Sequence, residues 1–104
     1  MALGYNGFSM NATQLLQQVK QSVREVSADE LRALLDAKAA PTLIDVSEND
    51  EMAGGILPGA IAIARGFLEL RIEDAVPDRN RPLVVYCAGG VRSAYAAQTL
   101  ATLG

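Results

Sequence analysis

The chain has one cysteine, Cys87, and it sits in the run Leu83-Val84-Val85-Tyr86-Cys87-Ala88-Gly89-Gly90-Val91-Arg92-Ser93. The apolar residues before it are the best strand pattern in the sequence, and strong helix formers follow it from Arg92 to Leu103. The two glycines let the backbone curl so that successive N–H groups, from Ala88 through Arg92, point inward. The helix beyond them adds the positive end of its dipole. A sulfur anion is stabilised in such a nest: a free cysteine titrates at about 8.5, and sites of this kind bring it to roughly 3.5–7.5. The chemistry this permits is nucleophilic attack by a preformed thiolate, with no histidine needed as a base. A lone cysteine without such a loop would read as a small buried hydrophobe. Arg92 either adds positive charge to the loop or braces it, by bonding loop carbonyls or Asp45, whose strand should end nearby.

Composition removes most other chemistries. There is no histidine, and one cysteine cannot form an internal disulfide, so a Cys/His zinc site and a Ser/His/Asp triad are excluded and no metal is expected. With 9 Lys and Arg against 12 Asp and Glu the net charge is -3, and the basic residues are scattered. Nothing forms a stripe that could neutralise a phosphate backbone, so no nucleic-acid partner is expected. Half the residues are apolar, yet no run approaches the roughly 20 needed to cross a bilayer, and no membrane partner is expected. The opening residues 1–9 lack a basic start and a long apolar stretch, which argues against a secretion signal and for a cytoplasmic location.

The elements that must position Cys87 follow from local patterns. Asn11 and Thr13 can cap a helix over residues 11–22 that carries Leu15, Leu16, Val19 and Val23 on one stripe. Val23 to Val26 suggests a short strand, and Ser27-Ala28-Asp29-Glu30 has capping-box spacing ahead of a helix from about Ala28 to Ala37. Thr42 to Val46 is suited to a buried strand, followed by an irregular connection marked by Gly54, Gly55, Pro58 and Gly59 and a strand from Ala60 to Ala64. A short helix is expected over Phe67 to Ile72, then a turn around Pro77, Asp78, Asn80 and Pro82. In the last helix Ala94, Ala97 and Ala101 form a small-residue face. Alternating strands and helices predict an α/β fold, with a parallel sheet covered on both faces and ligands beyond the carboxyl ends of the strands, where Cys87 lies.

Several segments together resemble one family. A strand, then C-x-x-G-x-R-S, then a helix is similar to the active-site loop of the rhodanese family. Ile44-Asp45-Val46 resembles that family's I-D-V-R motif, and Gly55-Ile56-Leu57-Pro58-Gly59-Ala60-Ile61 resembles its G-H-I-P-G-A-I segment in the expected order. Arg65-Gly66-Phe67-Leu68-Glu69 continues the match, so the resemblance covers about Val23 to Gly104. It implies a rhodanese-like three-layer domain over residues 23–104, preceded by a flexible segment at 1–10 and the helix at 11–22.

The resemblance also implies a sulfurtransferase. Cys87 would take the outer sulfur of a donor such as thiosulfate or a protein persulfide, hold it as a persulfide, and release it to cyanide, a thiol or a sulfur-carrier protein, without a cofactor. Ala88, Gly89, Gly90, Val91, Arg92 and Ser93 would bind substrate, with Arg65 at the pocket mouth and Asp45 supporting the loop. Three positions depart from the pattern: Ser47 replaces an arginine, Ile56 a histidine, and Ala88 a residue that is polar or charged in many relatives. The family normally adds a further strand and helix after this last helix, so the expectation is a domain truncated before them, with an open sheet edge or one repaired by another chain.

Two rivals are set against this. Phosphatases that share the fold place five residues between cysteine and arginine, whereas Cys87 and Arg92 enclose four. A non-catalytic interaction module, or a fusion with an adenylyltransferase for sulfur carriers, is the other.

Overall fold

Thr42–Asp45 (β1) is the middle strand of a three-stranded, all-parallel sheet. Ile61–Ala62 (β2) pairs along one side of it and Leu83–Tyr86 (β3) along the other. The computed structural model describes residues 1–2, 10–37 and 40–104; most of the flexible segment expected at 1–10 lies outside the described residues. Leu43 and Ile44 point to opposite faces of β1 and are 4% and 0% exposed, so both faces are covered. That double burial is why this strand shows no polar alternation. Thr42 stands opposite Leu83 and Asp45 opposite Tyr86. One further ladder bond, from the Val46 N–H to the Tyr86 carbonyl at 2.9 Å, carries the pairing to the carboxyl edge.

Helices alternate with these strands. Ala12–Ser22 (α1) and Ala28–Leu35 (α2) precede the sheet, and Asn49–Met52 (α3) follows β1. A 3₁₀ turn at Arg65–Phe67 leads into Leu68–Ala75 (α4), and Val91–Leu103 (α5) follows β3. The result is the α/β architecture with a parallel sheet that the sequence predicts. Its core is Ile44, Val46, Ile63, Leu68, Ile72 and Ala96, with Val85, Cys87 and Leu100 packed against it. Leu68 and Ile72 are four residues apart and so lie on one face of α4. Their burial ties that helix to the sheet through the apolar surface it removes from water.

α1 begins with a complete capping box, Gln14 N–H to Asn11 Oδ1 at 2.8 Å and Asn11 N–H to Gln14 Oε1 at 2.9 Å. It packs on α5, and Val19 alone of its apolar stripe is fully buried, at 1% exposure. α2 has the same device between Ser27 and Glu30.

Four details differ from the sequence-based expectations. Residues 23–26 form no strand; they lie across a cleft of about 300 Å³ from Leu83, Val84 and Val85. An extended segment with no paired neighbour has no ladder to join, and β3 is an edge strand among the described residues. β2 is two residues rather than five, although the chain goes on bonding β1 past it: the Ile63 N–H donates to the Asp45 carbonyl at 2.9 Å and the Arg65 N–H to the Val46 carbonyl at 3.1 Å, where the 3₁₀ turn begins. The expected connection after β1 contains α3, a single helical turn. On α5 the fully buried small residues are Ala94 and Ala96, while Ala101 is exposed.

Candidate active site

β1 and β3 end side by side, and Cys87 is the first residue past the carboxyl end of β3. The chain then turns through Ala88 and Gly89 to Gly90, which caps α5 with φ +80°. A Cβ on Gly90 would meet nothing within 4 Å, so glycine is needed here for the left-handed backbone and not for space. That conformation turns the first amides of α5 back toward the cysteine. The Gly90 N–H donates to Cys87 Sγ at 3.1 Å and the Ser93 N–H at 3.4 Å. The Ser93 hydroxyl donates to the Gly90 carbonyl at 3.1 Å and closes the loop on itself.

Cys87 is half-buried, and its electrostatics follow from these contacts. Burial pushes the thiol up, but the Ser93 hydroxyl and N–H and the Gly90 and Gly89 N–H groups act together in the other direction. The net result is a thiol held below its ordinary value. Amides fixed by a helix start need no reorganisation to stabilise a sulfur anion.

Ala88, Gly89 and Val91 are exposed on the loop. Arg92 turns away from the loop carbonyls and from Asp45 and grips the carboxylate of Glu51 on α3. Its Nη1 bonds Oε1 and its Nη2 bonds Oε2 at 2.9 Å. Arg92 holds the Glu51 carboxyl down to about 2, and Glu51 in turn raises Arg92. The same Glu51 Oε1 accepts the Glu48 N–H at 3.0 Å, so the acceptor is fixed by its own helical turn. Glu51 is the residue that the sequence alone did not single out, because its partner lies 41 positions away and neither belongs to a shared local motif.

Asp45 is buried, at 3% exposure, and its Oδ1 accepts the Ser47 N–H at 2.9 Å. It stabilises the chain where β1 turns toward α3. Tyr86, opposite Asp45, accepts the Leu57 N–H on its hydroxyl at 3.1 Å and thereby ties the glycine-rich connection to β3. Burial pushes the Tyr86 hydroxyl up, and the Asp45 carboxylate adds to the shift. Arg65 is engaged by Glu69 at 2.7 Å and by Thr99 of α5 at 3.0 Å, which places it as a brace between the 3₁₀ turn, α4 and α5.

A family model described as the rhodanese-like domain matches residues 27–104. The chain belongs to the rhodanese-like family. Over 71 residues it is 32% identical to the "Putative sulfurtransferase YtwF" of Bacillus subtilis (strain 168), a match covering 68% of this chain and 67% of that protein. A solved structure of a protein of unknown function from Rhodopseudomonas palustris CGA009, described as a "Possible Tyrosine Phosphatase", superposes with a TM-score of 0.82 at 25% identity. That match covers 97% of this chain and 83% of the other, so α1 is included in it. The thiosulfate sulfurtransferase of Pseudomonas aeruginosa superposes with a TM-score of 0.74 at 32% identity over 88% of this chain and 17% of its own.

Within this rhodanese-like domain the departures from the family motifs have definite surroundings. Ser47 is buried, at 6% exposure, and Ile56 is 43% exposed beside the Leu57 that bonds Tyr86. No helix among the described residues is long and apolar enough to cross a membrane.

Proposed function

We propose that the protein is a sulfurtransferase whose Cys87 carries sulfur as a persulfide. The observation that supports this best is the convergence of the Gly90 and Ser93 N–H groups on Cys87 Sγ at the start of α5. In the first half-reaction the thiolate attacks the outer sulfur of a sulfane donor. With thiosulfate, the Cys87 sulfur–sulfur bond forms, the donor's sulfur–sulfur bond breaks and sulfite leaves with the electron pair. The resulting persulfide anion sits over the loop, where the amides between Ala88 and Arg92 stabilise it. In the second half-reaction cyanide, a thiol or a sulfur-carrier protein attacks the outer sulfur, and the Cys87 thiolate is the leaving group. No proton has to be removed from Cys87 when the thiolate is already formed, which suits a chain with no histidine. Ala88, Gly89, Val91 and Ser93 are the positions we place around the transferred sulfur.

The name of the Rhodopseudomonas neighbour raises phosphatase activity as a second reading. The four residues between Cys87 and Arg92 weigh against it, because a loop one residue shorter than that of phosphatases with this fold encloses a single sulfur rather than a tetrahedral phosphate. The Arg92 guanidinium is moreover already bonded on both Nη atoms by Glu51. The deciding assay is thiocyanate formation from thiosulfate and cyanide in parallel with hydrolysis of an aryl phosphate. Cys87-dependent thiocyanate with no phosphate release supports the transferase; the reverse pattern would replace it with the phosphatase.

A further inference from the structure

Arg92 is the cation nearest in sequence to the nest, and a loop arginine beside a sulfur anion would be expected to greet an anionic donor. In the structure it is not free to do so. Both Nη atoms are bonded to the Glu51 carboxylate, and Glu51 is itself fixed by the Glu48 N–H within α3. Cys87 and Glu48 add, after Glu51, to the charges that favour its protonated form. The Arg92–Glu51 pair is neutral within itself, so it leaves the negative charge of an ionised Cys87 unbalanced.

We propose that Glu51 determines donor specificity: by holding Arg92 in a two-point ion pair it withholds the cation from incoming anions, so the site disfavours donors in proportion to their negative charge. This rests on the sulfurtransferase reading for its biological meaning, but the charge discrimination is a property of Cys87 that is measurable without sulfur transfer. A unit charge ~6 Å away in a water-like medium changes the approach of a monoanion about threefold and that of a dianion about tenfold. Thiosulfate, a dianion, is the donor most disfavoured; an alkyl hydropersulfide, with at most one negative charge, is favoured over it.

The first test compares alkylation of Cys87 by iodoacetate, an anion, and iodoacetamide, which is neutral. Both react with the thiolate, so the ratio of their rates cancels any change in ionisation. In Glu51→Gln the amide oxygen can still accept the Glu48 N–H, and the iodoacetate to iodoacetamide ratio is expected to rise about threefold. In Glu51→Gln/Arg92→Gln that gain should vanish. An unchanged ratio in Glu51→Gln, or a gain that survives loss of Arg92, overturns the proposal. The native protein gives a second test that needs no variant: added salt screens the unbalanced charge of the ionised cysteine and should raise the ratio, whereas a ratio that falls with salt means Arg92 is attracting the anion and Glu51 does not withhold it.

The donor comparison completes the assignment. Loading of sulfur from thiosulfate should quicken about tenfold in Glu51→Gln and from an alkyl hydropersulfide about threefold or less; equal gains would contradict charge selection. If the native protein takes sulfur from no donor, the proposed function falls, while the alkylation ratios still decide whether Glu51 controls access by charge.

Discussion

Replacing Gly90 by alanine isolates the backbone geometry on which the nest depends. Gly90 has φ +80°, and a Cβ there would meet nothing within 4 Å. The cost is therefore conformational alone, about 1–2 kcal/mol for an L-residue in the left-handed region. For a domain of this size each kcal/mol lowers Tm by about 4–8 °C, so Gly90→Ala should melt about 4–16 °C below the native protein. If the loop relaxes to relieve the strain, the Gly90 N–H leaves Sγ and the thiol moves up toward its ordinary value; alkylation by iodoacetamide at neutral pH then slows. Gly89→Ala is the matched control, since Gly89 lies outside the left-handed region and also has open space around its Cβ position. It should melt close to the native protein. Calorimetry supplies Tm, and the pH dependence of the alkylation rate reports the thiol. Equal melting of Gly90→Ala and the native protein with unchanged alkylation, or an equal loss in Gly89→Ala, would refute the role given to the left-handed turn.

Three further outcomes follow from the same structure. Ser93→Ala removes the hydroxyl that helps hold the thiol down and bonds the Gly90 carbonyl; the alkylation midpoint should rise, with a stability loss of about 1 kcal/mol by denaturant unfolding. Val19→Ala removes the buried contact that α1 contributes, and should cost about 2 kcal/mol in the same assay if α1 is part of the folding unit; no change would make α1 an appendage. The Glu51 carboxyl is depressed from 4.5 to about 2, so whatever stability its pair with Arg92 supplies is fully present above about pH 4.5 and lost as pH falls toward 2. The stability difference between the native protein and Glu51→Gln should accordingly be constant from pH 7 down to about 5 and shrink below it; a difference that grows on acidification would contradict the pairing.

The parts of this fold that could be read from the sequence are those with a local cause. β1 and β3 are short apolar runs rich in β-branched residues, α1 and α2 carry capping boxes, and the glycine pair after β3 announces a tight turn into a helix. Each signal lies within a few residues, and each element formed where it pointed. The loop at Cys87 also has a local cause, though the sequence points to the amides from Ala88 to Arg92 and the N–H groups that bond Sγ are those of Gly90 and Ser93. What was not legible depends on distant partners. Val23–Val26 has a strand-like composition, but nothing pairs with it among the described residues. Ala60–Ala64 reads as one strand, but regular pairing covers Ile61–Ala62 and the chain then follows β1 through the Ile63 and Arg65 N–H groups into the 3₁₀ turn. α3 is a single turn that Glu48 and Glu51 cap, in a stretch whose polar composition reads as loop. Arg92 was open in the sequence between adding charge to the loop and bracing it through carbonyls or Asp45; its partner is Glu51, 41 positions away on α3 and oriented there by the Glu48 N–H.

Whether Cys87 accepts a single sulfur is decided by intact mass measurement. The native protein is incubated with a panel of sulfane donors of different charge, thiosulfate and an alkyl hydropersulfide among them, and is weighed before and after cyanide treatment. The expected result is a gain of one sulfur atom that cyanide removes and that Cys87→Ser never shows. A native, folded protein that gains no sulfur from any donor, or a gain that persists in Cys87→Ser, would contradict it.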